Sequence, residues 1–187
     1  MPKVVNDEDI YQAVIQVVAE RGYTGATTKQ IAEAANVSEV TLFRKYGSKL
    51  QLLELAVNYL IAQSNFPTHI AYTGHLEADL LQVVQAYQAS AVENGQFVFM
   101  LLAEISRDPE LVKLLETPLG VLGAIGELLQ RYQAEGRLRP ENPMQALAAL
   151  LGPLIITGML HKALGEGVIP ALDLEVHIAR FLEGRSR

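Results

Sequence analysis

Apolar residues recur every three or four positions along almost the whole 187-residue chain, and runs that alternate apolar with polar residues between turn signals are nearly absent. That spacing matches the 3.6-residue turn of an α-helix and not the two-residue pleat of a strand, so an all-α fold is expected. Over residues 8–21, Ile10, Val14, Val17 and Val18 form one stripe, which a helix buries on a single face. Gly22 follows Arg21 and suits a left-handed cap. Thr27 and Gln30 then stand at capping-box spacing ahead of Ile31, Ala32 and Ala35, which opens a short second helix. Beyond Asn36 and Val37, Ser38 is placed to cap a third helix running to Arg44, with Leu42 pointing inward.

After Gly47, Ser48 and Gln51 repeat the capping-box spacing for a longer fourth helix. Leu50, Leu53, Val57, Leu60 and Ile61 fall on one of its faces and Leu52, Leu55 and Tyr59 on another. Both sides are therefore expected to be buried, as in a connector between two bodies. The boundary is placed at 47/48, giving an N-terminal three-helix domain over 1–47 and a larger helical domain over 48–187. Residues 66–74 read as a loop, and helices are expected at 76–94, 95–107, 109–136, 143–165 and 173–183, the third of these kinked at Pro118.

Composition narrows the function classes. Half of the residues are hydrophobic and 19% are charged, the balance of a globular protein. With no cysteine, the chain has neither a disulfide framework nor a thiolate metal site. His69, His75, His161 and His177 lack metal-ligand spacing, and Gly120, Gly123 and Gly126 do not form a dinucleotide-binding fingerprint. No serine sits in a nucleophile elbow. Neither enzymatic activity, cofactor nor metal is expected. The first nine residues carry Asp7, Glu8 and Asp9 without an apolar run, unlike a secretory signal. Residues 142–160 bear no formal charge but include Asn142, Pro143, Gln145, Gly152 and Pro153, which fits a buried helix better than a membrane span. A cytoplasmic location is expected.

The net charge is −6, yet it is unevenly spread. Residues 21–49 hold Arg21, Lys29, Arg44, Lys45 and Lys49 against Glu33 and Glu39, a local excess of +3, whereas residues 61–187 carry −5. A basic patch on an acidic body is an electrostatic footprint for nucleic acid. It coincides with two short helices joined by a tight turn, the helix-turn-helix layout, whose second helix carries Ser38, Thr41, Arg44 and Lys45.

Arg21-Gly22-Tyr23, the run Thr27 to Ala32, the turn Ala35-Asn36-Val37-Ser38 and the run Thr41 to Tyr46 ahead of Ser48-Lys49 carry a resemblance. Residues 8–55 are similar to the DNA-binding domain of the TetR (tetracycline-repressor-like) transcriptional regulators. Against that pattern, Val40 replaces a frequent glycine, Phe43 a usual tyrosine and Tyr46 a usual phenylalanine, leaving open which of the last two makes a phosphate contact. The resemblance implies that Thr28 and Lys49 lie near phosphates, beside helix N-termini that favour anions. It also implies that Lys29 belongs to the interface, that Ser38, Glu39, Val40 and Thr41 face base edges, and that Phe43, Arg44 and Lys45 lie at the groove wall. A thymine methyl is the natural partner of Val40.

For the larger domain the resemblance implies ligand binding and dimerisation. Six of the twelve aromatics fall within residues 59–99, and a mostly apolar effector is expected near Tyr59, Gln63, Phe66, Tyr87, Phe97, Met100 and Glu104. The last two helices carry more apolar residues than one face can bury, so a homodimer is expected there, bound to a palindromic duplex operator. The expected function is a DNA-binding transcriptional regulator, a repressor released by its effector. The alternative is a helical small-molecule enzyme or carrier that does not bind DNA.

Overall fold

The computed structural model describes residues 6–105, 107–165 and 168–186, with side chains for all of these except 92–96, 98–100 and 102. Among them the regular elements are helical, and the one extended pairing is an isolated bridge between Leu138 and Ser186. The chain divides into two compact units, residues 1–63 with 96–117, and residues 64–95 with 118–187.

The first unit opens with α1 (Asp7–Gly25), capped by the Asn6 side chain on Glu8 N–H and buried through Ile10, Ala13, Val14, Val17 and Val18. Gly22, at φ 72° and ψ 165°, leaves helical geometry, so the break expected there occurs, and one further turn follows it. Thr27 and Gln30 form both halves of the capping box on α2 (Thr28–Ala34). Asn36 takes the left-handed turn conformation at φ 54°, which asparagine tolerates better than most residues. Ser38 then caps α3 (Glu39–Tyr46) by accepting from Thr41 N–H. Gly47 at φ 74° ends α3 and leads into α4 (Lys49–Gln63). Leu52, Leu53, Ala56, Val57 and Leu60 of α4 are buried, but Leu55 is exposed, so the second face expected to be covered is only partly so. The core joins Val14 and Val18 to Ile31, Leu42, Leu53 and Val57, and it includes Phe97, Leu101, Leu111 and Leu114 from later in the chain.

A single helix, α5 (Leu76–Ile105), replaces the two expected on either side of Asn94-Gly95, and it contributes to both units. A mid-helix glycine costs about 1 kcal/mol relative to alanine, too little to end a 30-residue helix that has packed surfaces elsewhere. The expected helix over 109–136 is also recast: Pro109–Leu115 forms a 3-10 segment and α6 (Glu116–Ala134) follows. Pro118 therefore falls in the first turn of α6, where its missing N–H has no carbonyl to meet, and not at a mid-helix kink. Residues Phe66–His69, expected as loop, make one 3-10 turn with Phe66 buried.

The second unit packs part of α5 with α6, α7 (Pro143–Leu164) and α8 (Leu174–Glu183). Its core takes Leu80, Val83 and Val84, Ile125 and Leu129, Leu147, Leu150 and Leu151, and Ile178 with Phe181. Asp79, 2% exposed, is a buried carboxylate in this unit. It accepts from Thr73 N–H at 2.8 Å, from the Thr73 hydroxyl at 2.5 Å and from the Tyr132 hydroxyl. Burial pushes its carboxyl up, but these donors together hold it below its ordinary value. In α7 the first half is buried through Ala146, Leu147, Leu150, Leu151 and Leu154, while Ile156, Met159, Leu160 and Leu164 stand exposed. By length and composition α7 is apolar enough to cross a membrane.

Candidate nucleic-acid interface

The caps on Thr27 and Ser38 and the turn at Asn36 fix how α2 and α3 meet, with Leu42 buried as their inward anchor. That leaves the opposite face of α3 uncovered. Val40 is 75% exposed and Phe43 49%, and Arg44 projects beside them. Two large apolar groups left in water at the first and second turns of a short helix, next to cations, form a surface suited to a groove with thymine methyls and phosphate walls.

The polar groups are arranged more tightly than sequence alone conveyed. Ser38 Oγ and Thr41 Oγ1 lie 2.8 Å apart and share a hydrogen bond. The Thr28 hydroxyl donates to Glu39 Oε1, which ties the first residue of α2 to the first residue of α3. Lys29 and Arg44 are exposed, and neither has an ion-pair partner among the described residues. Lys45 is paired with Asp7. Asp7 also accepts from the Tyr46 hydroxyl at 2.6 Å, and these two donors hold its carboxyl below the ordinary aspartate value. Tyr46 is only 8% exposed, and burial together with Asp7 pushes its phenol up. Of the two aromatics left open by the sequence, Phe43 faces out without a hydroxyl and Tyr46 has its hydroxyl bound inside the chain.

Lys49 has a different setting from its neighbours. Its ammonium donates to Tyr23 O at 2.8 Å and to Ala26 O at 3.0 Å, and it sits 4.0 Å from the centre of the Tyr23 ring. Partial burial pulls the ammonium down from its ordinary value. The turn that follows Gly22 supplies both carbonyls, so the break in α1 builds this socket. Asp7 and Tyr23 are the partners sequence reading missed. Asp7 lies 38 positions from Lys45, a separation at which no local spacing rule operates.

The residues expected around an effector fall in both units. Tyr59, Gln63, Phe97, Met100 and Glu104 belong to the first and Phe66 with Tyr87 to the second. Tyr59 packs on Tyr11 with ring centres 5.4 Å apart, Phe97 is buried in the first core, and Gln63 is exposed. Glu104 accepts from the Thr24 hydroxyl at 3.2 Å, beside Gly22. Phe66 and Tyr87 meet edge to face at 5.9 Å, and burial raises the Tyr87 phenol. The side chain of Met100 lies outside the described residues. The second unit has an open cleft of about 550 Å³ lined by His75, Glu77, Arg137 and Glu175 among others, and none of the expected effector residues borders it.

Comparison with known proteins gives this arrangement its relatives. Residues 10–56 match the profile described as bacterial regulatory proteins, tetR family, and residues 70–172 match the tetracyclin repressor-like C-terminal domain. An uncharacterised HTH-type transcriptional regulator of Bacillus subtilis, YvkB, is 40% identical over 75 residues, covering 40% of this chain and 39% of its own. Another, Mb1581 of Mycobacterium bovis, is 26% identical over 110 residues, 59% of this chain and 53% of its own. These matches span about half or less of the curated relatives' length. Among solved structures, a Clostridium perfringens protein provisionally named a fatty acid metabolism regulator has a TM-score of 0.77 at 20% identity, covering 94% of this chain and 97% of that one. A TetR family transcription regulator of Marinobacter aquaeolei has a TM-score of 0.73 at 17% identity, covering 96% and 95%. At such identities the likeness is one of fold, and it extends over nearly the whole chain. The C-terminal profile alone takes in more than half of the sequence, and with the N-terminal one beside it this chain belongs to the TetR family of bacterial regulatory proteins.

Proposed function

We propose that the chain is a sequence-specific DNA-binding transcriptional regulator that acts in the cytoplasm as a homodimer, represses from a palindromic duplex operator and is released by a small-molecule effector. The observation that carries this reading is the face of α3, where Val40, Phe43 and Arg44 are left uncovered on a helix whose Ser38 cap and buried Leu42 fix its pose. Functionally, residues 1–47 read DNA, with Thr28, Lys29, Ser38, Glu39, Val40, Thr41, Phe43, Arg44, Lys45 and Lys49 as the contact set. Residues 48–187 dimerise and sense. Binding, not turnover, is the activity.

The dimer is supported by α7, where Ile156, Met159, Leu160 and Leu164 follow one another at helical spacing and are exposed, with Val176 of α8 exposed as well. A second copy covering these groups accounts for an apolar helix without a membrane, since exposed apolar patches of this kind are interaction surfaces. Two recognition helices held about 34–36 Å apart read half-sites one helical turn apart. The effector is taken as mostly apolar, on the strength of the aromatics concentrated before residue 100, with Phe66 and Tyr87 as its contacts in the second unit. The effector lowers DNA affinity by its differential affinity for the two states and by no more.

A mobility-shift assay of the full chain on fragments of its own genome, followed by sequencing of the retained DNA, tests the reading. The expected result is one or a few retained fragments sharing an inverted repeat. Failure to retain any fragment at low salt favours a helical carrier and overturns the proposal.

A further inference from the structure

Glu39 is the sole carboxylate between Glu33 and Glu54, in a stretch that also carries Arg44, Lys45 and Lys49. On a helix that approaches a polyanion, such a group is repelled by phosphate and must be compensated by a donor. The chain supplies one such donor itself, the Thr28 hydroxyl on Glu39 Oε1. A hydroxyl has one proton to give, so this bond occupies it and fixes the carboxylate by one oxygen. Glu39 Oε2 has no partner among the described residues, and Glu39 is the first residue of α3, next to the exposed Val40.

What such a group reads follows from the edges of the bases. In the major groove guanine offers two acceptors and thymine an acceptor and a methyl, all of which repel or ignore a carboxylate oxygen. Adenine offers an amino group beside the N7 acceptor, and cytosine offers its N4 amino group without one. We infer that Glu39, held in place by Thr28, selects cytosine in each half of the operator by accepting a hydrogen bond from the N4 amino group. This deepens the proposed function and rests on it. Anchoring matters because a free glutamate at a helix end gives up rotamer freedom when it binds, whereas one already fixed gives up little.

Selection from a random duplex library with the full chain, repeated with Glu39→Gln and Thr28→Val, tests the inference. Glutamine can still accept from Thr28 but prefers the paired amino and N7 edge of adenine. The wild-type chain is expected to select a palindrome with an invariant cytosine in each half. Glu39→Gln should move that one position toward adenine and reduce discrimination for cytosine by about tenfold or more, with other positions unchanged. Thr28→Val should keep cytosine but weaken the preference severalfold. Melting curves show whether each variant is folded. Independently of any substitution, replacing each selected cytosine in turn by 2-pyrimidinone, which lacks the amino group, should lower wild-type affinity about tenfold at one position per half. A folded Glu39→Gln chain that selects the wild-type site unchanged, or a 2-pyrimidinone scan without effect, overturns the inference and leaves the DNA-binding reading intact. Absence of any selected sequence with the wild-type chain overturns both.

Discussion

The Tyr46 hydroxyl donates to Asp7 Oδ1 at 2.6 Å, tying the last residue of α3 to the first residue of α1. Lys45 reaches the same oxygen, so one carboxylate holds the end of α3 by two side chains. Removing the hydroxyl with Tyr46→Phe should destabilise the chain by about 1–2 kcal/mol, read from urea denaturation. Because the folded carboxyl titrates below its unfolded value, its contribution is present above the ordinary aspartate range near pH 4 and is lost as pH falls through the lowered value. The gap in melting temperature between wild type and Asp7→Asn should accordingly be wider at pH 6 than at pH 3.

Gly47 closes α3 at φ 74°, and a Cβ built there would lie 2.5 Å from Gln51 Oε1. Strained backbone and a displaced Gln51 side chain act together, so Gly47→Ala should destabilise by about 1–2 kcal/mol. Thermal melting checks the loss, and it should be larger than that of an alanine at Gly136, which has φ 72° but open space around it.

In the second unit, Tyr132→Phe strips one donor from a carboxylate that is already buried. Leaving a buried acceptor short of a partner costs about 1–3 kcal/mol, measurable by urea denaturation at pH 7. Asp79 is held below its ordinary value, so its stabilising share is complete above about pH 5 and falls away as acid protonates the folded carboxyl. Asp79→Asn should therefore narrow the stability difference between neutral and acid pH.

Salt dependence separates the cations. Arg44 is exposed without an ion-pair partner among the described residues, so Arg44→Ala should lower the slope of log affinity against log salt by about one unit. Lys49 has two carbonyls for its ammonium. Lys49→Ala should lower the urea midpoint clearly and move the salt slope less than Arg44→Ala does. Equal slope changes in a titration by fluorescence anisotropy would show that the Lys49 ammonium gives up its carbonyls and pairs with phosphate as fully as Arg44 does.

Ile156→Glu puts a charge in the exposed apolar stripe of α7 without touching the buried half of that helix. Sedimentation should then report a dimer for the wild type and a monomer for the variant, and operator affinity should drop by more than a hundredfold, because two linked heads bind with an effective concentration that one head lacks.

Elements with strong local chemistry were legible in the sequence. The capping box at Thr27 and Gln30, the Ser38 cap and the inward Leu42 depend on neighbours within four residues and occur as read. The break at Gly22 was equally local, but what it builds was not: the Lys49 socket joins positions 23 and 26 residues apart. Asn94-Gly95 misled because a glycine weakens a helix only slightly, and packing decides. Pro118 misled because its effect depends on where the helix begins, and the 3-10 segment ahead of it moved that start to Glu116. At the interface the residue types were readable, whereas their mutual bonds, Thr28 with Glu39 and Lys45 with Asp7, depend on tertiary placement.

The core beneath α3 takes Phe97 and Leu101 from the last part of α5 and Leu111 and Leu114 from the 3-10 segment that follows it. A recombination event that exchanged only the N-terminal stretch of this protein with that of a cousin would import a headpiece whose inner surface has to meet four foreign side chains. On the proposed reading of α3, new operator specificities should therefore be gained by point substitution on its outer face, and transplanted heads should succeed only when residues 96–117 travel with them.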